Sequence, residues 1–221
     1  MALSRGMLVV VEGLDKAGKS SQCARLVQNL AQDGKAVRHM RFPDRTTPIG
    51  KMIDQYLKGE SQQDDHVIHL LFSANRWEAS QQIRSDISSG TTIVIDRYYY
   101  SGCVYSAAKG VKGLDLEWAR WPDVGLPRPD VCIFLDISPA DAARRGGFGE
   151  EKYETTEMQG QVRRLFEEMR TSIDRDDFCV VDAGASEEVV EGQISKIVKD
   201  CEKSLAIGEV RTELRNVLPG R

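Results

Sequence analysis

The chain has 221 residues, of which 41% are apolar, and its 30 lysines and arginines face 34 aspartates and glutamates for a net charge of −4. This composition excludes a disordered chain and a polycation, and it argues against non-specific binding to nucleic acid, which requires a basic surface. No apolar run approaches the roughly 20 residues of a membrane span. We therefore expect a soluble protein with no nucleic-acid or membrane partner and with one domain over residues 1–221.

Short β-branched runs alternate with helical patterns along the whole chain. The runs predict five strands, at 8–11, 36–40, 92–95, 131–135 and 178–181. The third and fourth are apolar throughout, which is typical of strands buried on both faces of a parallel sheet. Helical patterns lie between and after the strands, at 23–31, 67–77, 140–145, 157–173 and 187–205. In the second helix an apolar stripe contains Val67, Leu70, Leu71, Ala74 and Trp77.

This alternation predicts right-handed βαβ units and an α/β fold in three layers, with a parallel sheet covered by helices on both faces. The pattern has one glycine-rich interruption, at 145–152, between two helical segments. Its composition suits a mobile flap, and a plain surface connection is an equally good interpretation.

The most informative motif lies directly after the first predicted strand. Residues 13–20, GLDKAGKS, match the phosphate-loop pattern GxxxxGK[ST] immediately before an amphipathic helix. In such a loop the backbone of Gly13 and Gly18 wraps around phosphate oxygens, Lys19 reaches the terminal phosphates, and Ser20 can ligate Mg²⁺. The motif predicts a P-loop nucleotide-binding protein, but it does not distinguish a kinase from a GTPase or a motor ATPase.

Other residues narrow the class. The carboxylates Asp96 and Asp136 each close a buried strand and could support Mg²⁺, and only Asp96 is followed at once by a cation, Arg97. A switch GTPase needs an Asn-Lys-x-Asp motif, which the sequence lacks. Several arginines near predicted strand ends or loops suit a second phosphorylated molecule, although each alone could be a solvated surface charge: Arg45, Arg76, Arg97, Arg144 and Arg145.

Phe72 and Arg76 lie four residues apart on one predicted helix, on a different face from the apolar stripe. An aromatic ring can stack on a base, and an arginine donor selects a carbonyl acceptor over an amino group. This pair therefore suggests recognition of a pyrimidine with a 4-carbonyl. Core packing together with a surface charge is the alternative.

Six segments in matching order resemble the thymidylate kinase family of eukaryotic type: EGLDKAGKSSQ, FPDRTTPIGK, HLLFSANRWE, DRYYYSG, DVGLPRPD and GGFGEEKYE. The resemblance implies a nucleoside monophosphate kinase fold of the P-loop NTPase type, with a five-stranded parallel sheet and a short flexible lid at about 144–154. It also implies a homodimer and Mg²⁺-dependent transfer of the ATP γ-phosphoryl group to dTMP, giving dTDP in a step of dTTP synthesis.

The resemblance also assigns roles to residues. The ATP site would contain Gly13, Gly18, Lys19, Ser20, Ser21, Arg145, Asp182 and Gly184, with Arg145 over the adenine and the segment at 182–184 along its edge. Ser20, and Asp96 through water, would support Mg²⁺. The dTMP site would contain Asp15, Phe42, Arg45, Phe72, Arg76, Arg97, Ser101, Gly102, Tyr105, Tyr153 and Gln159.

Within the dTMP site the implied roles are specific. Asp15 would hold the 3′-hydroxyl, and Tyr153 would occupy the position of a ribose 2′-hydroxyl. Arg45 and Arg97 would hold the acceptor phosphate, and the bond from Phe42 to Pro43 would be cis.

The family's catalytic set would map to Lys16, Lys19, Arg97 and Arg145. Many eukaryotic members have arginine where this chain has Lys16, so either Lys16 or the lid arginines could stabilise the transferring phosphoryl group.

Two other readings stay open: a kinase of this fold for another acceptor such as dUMP, AMP or shikimate, and a regulatory nucleotide-binding module without transfer activity. The five separated cysteines predict reduced thiols in a cytoplasmic or nuclear protein. We interpret His66 and His69 as structural or interface residues and Trp118 and Trp121 as packing residues, and we assign no role to residues 206–221.

Overall fold

The computed structural model describes residues 5–145, 152–153, 155–172, 174–206 and 214–219. Five parallel strands form one sheet in the order β2-β3-β1-β4-β5. Their bounds are β1 Leu8–Gly13, β2 Val37–Arg41, β3 Thr92–Asp96, β4 Val131–Asp136 and β5 Phe178–Asp182. The five predicted strands and their parallel arrangement are thereby confirmed. Strands β1, β3 and β4 are almost wholly buried, as their continuous apolar sequences indicate.

Eight α-helices connect and follow these strands in the part of the chain that the structure describes. Helix α1 packs against α8, whereas α4 packs against both α3 and α7, as right-handed connections to the two faces of the sheet require. The bounds are α1 Lys19–Gln32, α2 Pro48–Leu57, α3 Asp65–Ser88, α4 Tyr99–Ala107, α5 Leu116–Arg120, α6 Pro139–Arg144, α7 Thr156–Thr171 and α8 Glu187–Ala206. The sequence predicted five of these helices and missed α2, α4 and α5.

The chain order of the strands creates a crevice at the carboxyl edge of the sheet. Strand β1 is central, and α1 leads from it to the edge strand β2. The next strand, β3, lies between β2 and β1, and β4 and β5 follow on the other side of β1. Open α/β sheets bind ligands at such a change of direction. Gly13 and Asp96, which end the neighbouring strands β1 and β3, both lie at this edge.

Three of the five residues in the apolar stripe of α3 are exposed, whereas Leu71 packs against a small apolar cluster with α2. Val67 is 44% exposed, Leu70 47% and Trp77 41%, while Ile68, His69 and Arg76 of the same helix are buried. Polar side chains occupy much of the buried face because each finds a hydrogen-bond partner there. The packing role predicted for Trp121 is wrong, since Trp121 is 52% exposed.

None of the described helices is long and apolar enough to cross a membrane.

Most of the predicted lid falls outside the described residues. Before it, Arg145 directly follows α6, and at its other end the Lys152 backbone N–H donates to the Leu57 carbonyl oxygen at 3.1 Å. Tyr153 packs beyond this hydrogen bond, between the rings of Tyr56 and Tyr105.

Candidate active site

A cavity of about 410 Å³ opens at the crevice and brings together most of the residues that the sequence singled out. Its walls come from the phosphate loop, the segment after β2, helix α3 and the start of α4. Sixteen of the predicted site residues line it: Asp15, Lys16, Gly18, Lys19, Ser20, Ser21, Phe42, Arg45, Phe72, Arg76, Asp96, Arg97, Ser101, Gly102, Tyr105 and Tyr153. Gly13, Arg145, Gln159, Asp182 and Gly184 lie outside its lining.

The phosphate loop has the backbone conformation that its glycines predict. Gly13 has φ of 145°, and a Cβ atom there would lie 2.5 Å from the Leu135 carbonyl oxygen. Gly18 has φ of 90° and directly precedes α1, so the N-terminus of this helix meets the cavity. Backbone N–H groups and the helix dipole make such a terminus favourable for phosphate oxygens.

Lys19 is 6% exposed, and its Nζ donates to the Leu14 carbonyl oxygen at 2.6 Å. Burial, assisted by the nearby Arg97 charge, lowers the pKa of Lys19 to about 7. An anionic ligand close to Nζ would oppose both effects and favour the charged ammonium. Bound phosphate would therefore raise the pKa of Lys19 again.

Ser20 and Asp96 form the best cation-binding pair of the site. The Ser20 hydroxyl donates to Asp96 Oδ2 at 2.5 Å, and the other carboxylate oxygen, Oδ1, is buried without a hydrogen-bond partner. Arg41 approaches Oδ2 at 3.9 Å. Hydroxyl and carboxylate oxygens are the ligands that Mg²⁺ prefers, and the unpartnered Oδ1 can accept a metal-bound water, so these residues fit the predicted ion.

Asp15 is the centre of a polar network beside the phosphate loop. It forms an ion pair with Arg97, and its Oδ2 accepts from the Tyr105 hydroxyl at 3.1 Å and from Gln159 Nε2 at 2.7 Å. Burial alone would raise the pKa of Asp15, but the charges of Arg97 and Lys19 outweigh it and hold this pKa below its usual value. Gln159 is thereby joined to the site although it does not line the cavity.

Arg76 lines the cavity and is held in one orientation. It is 2% exposed, and its Nε and Nη2 donate to the two carboxylate oxygens of Asp123 at 3.0 and 2.7 Å. A Cβ atom at Gly102 would lie 2.7 Å from Arg76 Nη1, so only glycine leaves room for this guanidinium. Phe72 lines the same cavity.

The segment after β2 carries Arg45 into the cavity. The bond from Phe42 to Pro43 is cis, as the resemblance implied. Asn75 of α3 fixes the following turn, because its Oδ1 accepts from the Asp44 backbone N–H at 2.7 Å. Arg45 pairs with Asp54 of α2 at 2.7 Å.

The two lid arginines point to different partners. Arg145 Nη1 donates to the Lys16 carbonyl oxygen at 3.0 Å, and its Nη2 donates to the Ala183 carbonyl oxygen at 2.6 Å. Arg145 therefore connects the phosphate loop to the segment that contains Asp182 and Gly184. Arg144 is exposed and pairs with Asp141 on its own helix.

Sequence reasoning missed three residues that shape the site. Glu12 is wholly buried and accepts from the backbone N–H groups of Tyr98 and Ser101 at 2.8 and 3.0 Å. The sequence indication for Glu12 is an acidic residue within an otherwise apolar strand, LVVVEG. Asp123 begins the segment DVGLPRPD, one of the six that resemble the family, but no role was assigned to it. Arg41 directly precedes another of these segments, FPDRTTPIGK.

The histidines do not form a metal site. His69 is buried, and its Nδ1 lies 2.7 Å from the Ser106 hydroxyl oxygen, while the His66 ring packs edge-on against Trp118. The described residues contain no cluster of three or more histidines, cysteines or carboxylates that could hold a metal ion. Among the described residues no two cysteines form a disulfide.

Comparisons with known proteins agree with this geometry. The family model for thymidylate kinase matches residues 11–194. The thymidylate kinase of Schizosaccharomyces pombe is 49% identical over 199 residues, covering 89% of this chain and 93% of that protein. The human thymidylate kinase is 44% identical over 200 residues, covering 90% and 93%. A solved structure of thymidylate kinase from Candida albicans superposes with a TM-score of 0.84 at 35% identity, covering 96% of this chain and 98% of that one.

Proposed function

The chain belongs to the thymidylate kinase family and is a nucleoside monophosphate kinase, and from this premise we propose that it transfers the γ-phosphoryl group of ATP to dTMP. The products are dTDP and ADP, and the reaction is a step towards dTTP. One observation carries the choice of acceptor: Arg76 faces a cavity that the phosphate loop also lines, with two of its donor groups already bound by Asp123.

The remaining donor group of Arg76 selects the base. In the part of the chain that the structure describes, Nη1 of Arg76 donates to no protein acceptor. A donor fixed in this way suits a carbonyl such as thymine O4 and leaves an amino group at the same position unpaired. Phe72 supplies a ring on which the base can stack.

Basic side chains supply the charge compensation that phosphoryl transfer requires. Arg97 and Arg45 hold the acceptor phosphate, while Lys16, Lys19 and Arg145 neutralise the donor phosphates. Arg145 is the better of the two lid arginines for this task, because it already reaches the Lys16 carbonyl oxygen at 3.0 Å. The acceptor phosphate is ionised at neutral pH, so the reaction needs no general base.

Asp15 and Tyr153 read the sugar. Asp15 is fixed by Arg97, Tyr105 and Gln159 and can accept from the 3′-hydroxyl. Tyr153 packs against Tyr105, and in the proposed complex it occupies the position that a ribose 2′-hydroxyl would need. On the donor side, Gly13, Gly18, Ser20 and Ser21 hold the ATP phosphates, and the segment at 182–184 meets the adenine edge.

Ser20 and Asp96 would hold Mg²⁺, the serine by its hydroxyl and the aspartate by its carboxylate acting through water. When bound, the ion neutralises charge on the donor phosphates.

We also propose a homodimer and a cytoplasmic location. The exposed apolar face of α3, with Val67, Leu70 and Trp77, supports the homodimer, and the molar mass measured by light scattering tests it.

A direct assay tests the proposal. The purified protein is incubated with ATP and Mg²⁺ and with dTMP, dUMP, dCMP, AMP or GMP separately, and chromatography resolves the products. We expect equal amounts of dTDP and ADP from dTMP and far less product from dCMP and the purine nucleotides. Consumption of ATP without dTDP, or no consumption with any acceptor, would contradict the assigned acceptor and leave only a nucleotide-binding site.

A further inference from the structure

Residues 214–219, called the strap here, lie antiparallel to the loop at 121–128, called the Asp123 loop. Three backbone hydrogen bonds join them: Gly125 N–H to the Val217 oxygen at 3.0 Å, Val217 N–H to the Leu126 oxygen at 2.8 Å, and Arg128 N–H to the Arg215 oxygen at 2.8 Å. Val217 is 1% exposed and belongs to the main hydrophobic core. The strap is thus a packed element, and it lies beyond residue 194, where the family match ends.

Two arginines fasten the strap from neighbouring helices. Arg84 of α3 donates through Nη2 both to the Gly125 carbonyl oxygen at 2.7 Å and to Asn216 Oδ1 at 2.8 Å. Arg120 donates from Nε to the Leu218 carbonyl oxygen at 2.9 Å and is itself held by the buried Asp174. The strap, the Asp123 loop and α3 are therefore cross-linked by hydrogen bonds at several points.

The Asp123 loop carries the carboxylate that orients Arg76. Asp123 is wholly buried and also accepts from the Ser73 hydroxyl at 2.9 Å. A tight turn links it to the strap, because the Leu126 N–H donates to the Asp123 carbonyl oxygen at 3.1 Å while the Leu126 oxygen accepts from Val217. A displacement of the strap therefore reaches Asp123 through a single turn of backbone.

We infer that the strap is a positioning element for base recognition: it fixes the Asp123 loop, and thereby the direction in which Arg76 presents Nη1 to the acceptor base. The inference rests on the proposed function. No strap residue lines the cavity, so the strap acts through Asp123. Loosening it should weaken recognition of the acceptor and leave the donor site, which no strap residue contacts by a hydrogen bond, unchanged.

Two matched variants separate this role from general packing. Val217→Ala removes two methyl groups from the strap, and Val198→Ala makes the same change in α8, where Val198 is also 1% exposed in the same core. We expect Val217→Ala to raise KM for dTMP by about five- to tenfold with little change in KM for ATP, since small misplacements of positioning groups are costly. Its preference for dTMP over dCMP should fall by a similar factor. Val198→Ala should lower thermal stability while leaving both KM values and the preference unchanged.

Arg84→Met supplies a second test, because it removes one hydrogen bond to the strap and one to the Asp123 loop without creating a buried cavity. It should move KM for dTMP and the base preference in the same direction as Val217→Ala. The inference is overturned if both strap variants keep the wild-type KM for dTMP and the wild-type base preference. Failure of the proposed function is distinguishable, because the wild-type protein itself would then make no dTDP. That result would overturn the inference as well.

Discussion

Gly102 shows how one missing methyl group can determine the shape of the acceptor site. The position is in α4, where any other residue would place a Cβ atom 2.7 Å from Arg76 Nη1 and 2.8 Å from its Nη2. Arg76 cannot retreat, because two of its nitrogens are bound to the buried Asp123. The guanidinium must therefore leave its position if Gly102 is replaced.

We predict that Gly102→Ala raises KM for dTMP by at least about tenfold and leaves KM for ATP close to wild type, since it moves a specificity-determining donor. Steady-state kinetics with each substrate varied in turn measures both effects. Gly192→Ala is the control, because Gly192 lies in α8 with nothing within 4 Å of its Cβ position. That change should stabilise the protein by about 0.5–1 kcal/mol, as alanine favours a helix interior. Wild-type kinetics in Gly102→Ala would contradict this account of Arg76.

At the scale of secondary structure, the start of α4 depends on one buried carboxylate. Glu12 accepts from the backbone N–H groups of Tyr98 and Ser101 and from the Ser101 hydroxyl at 2.5 Å. Burial raises the pKa of Glu12, although the Arg97 charge and the Ser101 hydroxyl oppose the rise. Arg97 lies immediately before this turn and has φ of 65°, in the left-handed region. The hydrogen bonds from the following backbone to Glu12 stabilise this uncommon conformation.

Glu12→Ala should leave the two N–H donors buried and unpaired, at about 1–3 kcal/mol each in the free energy of unfolding. The turn that presents Arg97 should loosen as well, so we expect kcat to fall by at least about tenfold while ATP binding persists. Urea unfolding and initial-rate kinetics measure the two effects. Glu12→Gln keeps one acceptor oxygen and should lose less in both measurements. Equal losses in the two variants would show that the acceptor oxygen is irrelevant.

Helix α3 shows why apolar periodicity can identify a helix without identifying the face that is buried. Its spacing of apolar residues is helical, yet Leu70 and Trp77 are exposed while Asn75 and Arg76 are buried. A hydropathy pattern assumes that polar groups prefer water, and that preference reverses when buried partners satisfy them, as Asp44 does for Asn75 and Asp123 does for Arg76. Such partners are distant in sequence and leave no local periodic signal.

For the whole molecule, the sequence was enough to predict the sheet and the phosphate loop. Buried parallel strands consist of continuous apolar runs, and a phosphate loop is a contiguous motif, so both leave local signals. Helix α4 was missed because YYSGCVYSA has no clear amphipathic period, and α5 because its five residues are too few to show one. Helix α2 is amphipathic and was missed although its sequence carries the signal. Glu12, Asp123 and the strap were missed for another reason: their roles depend on contacts between distant segments.

The free energy of unfolding is a property of the whole molecule, and one buried histidine should make it depend on pH. His69 has no exposed surface and lies 2.7 Å from the Ser106 hydroxyl through Nδ1. Burial, and secondarily the Arg76 charge, lowers the pKa of His69 to about 4, although Asp123 acts in the opposite direction. In the unfolded chain the same ring titrates near 6.5, so between these two pH values the unfolded state binds more protons than the folded state.

Stability must therefore fall as the pH falls through this window, by about 1.4 kcal/mol per pH unit from this residue alone. Between pH 7 and pH 4.5 the wild-type protein should lose about 2–3 kcal/mol more than His69→Gln, whose side chain can still bond Ser106 but does not titrate. Urea unfolding of both proteins at the two pH values measures the difference. His39→Gln, which removes an exposed histidine of β2, should lose as much as the wild type. If His69→Gln also loses as much, a group other than His69 is responsible for the acid sensitivity.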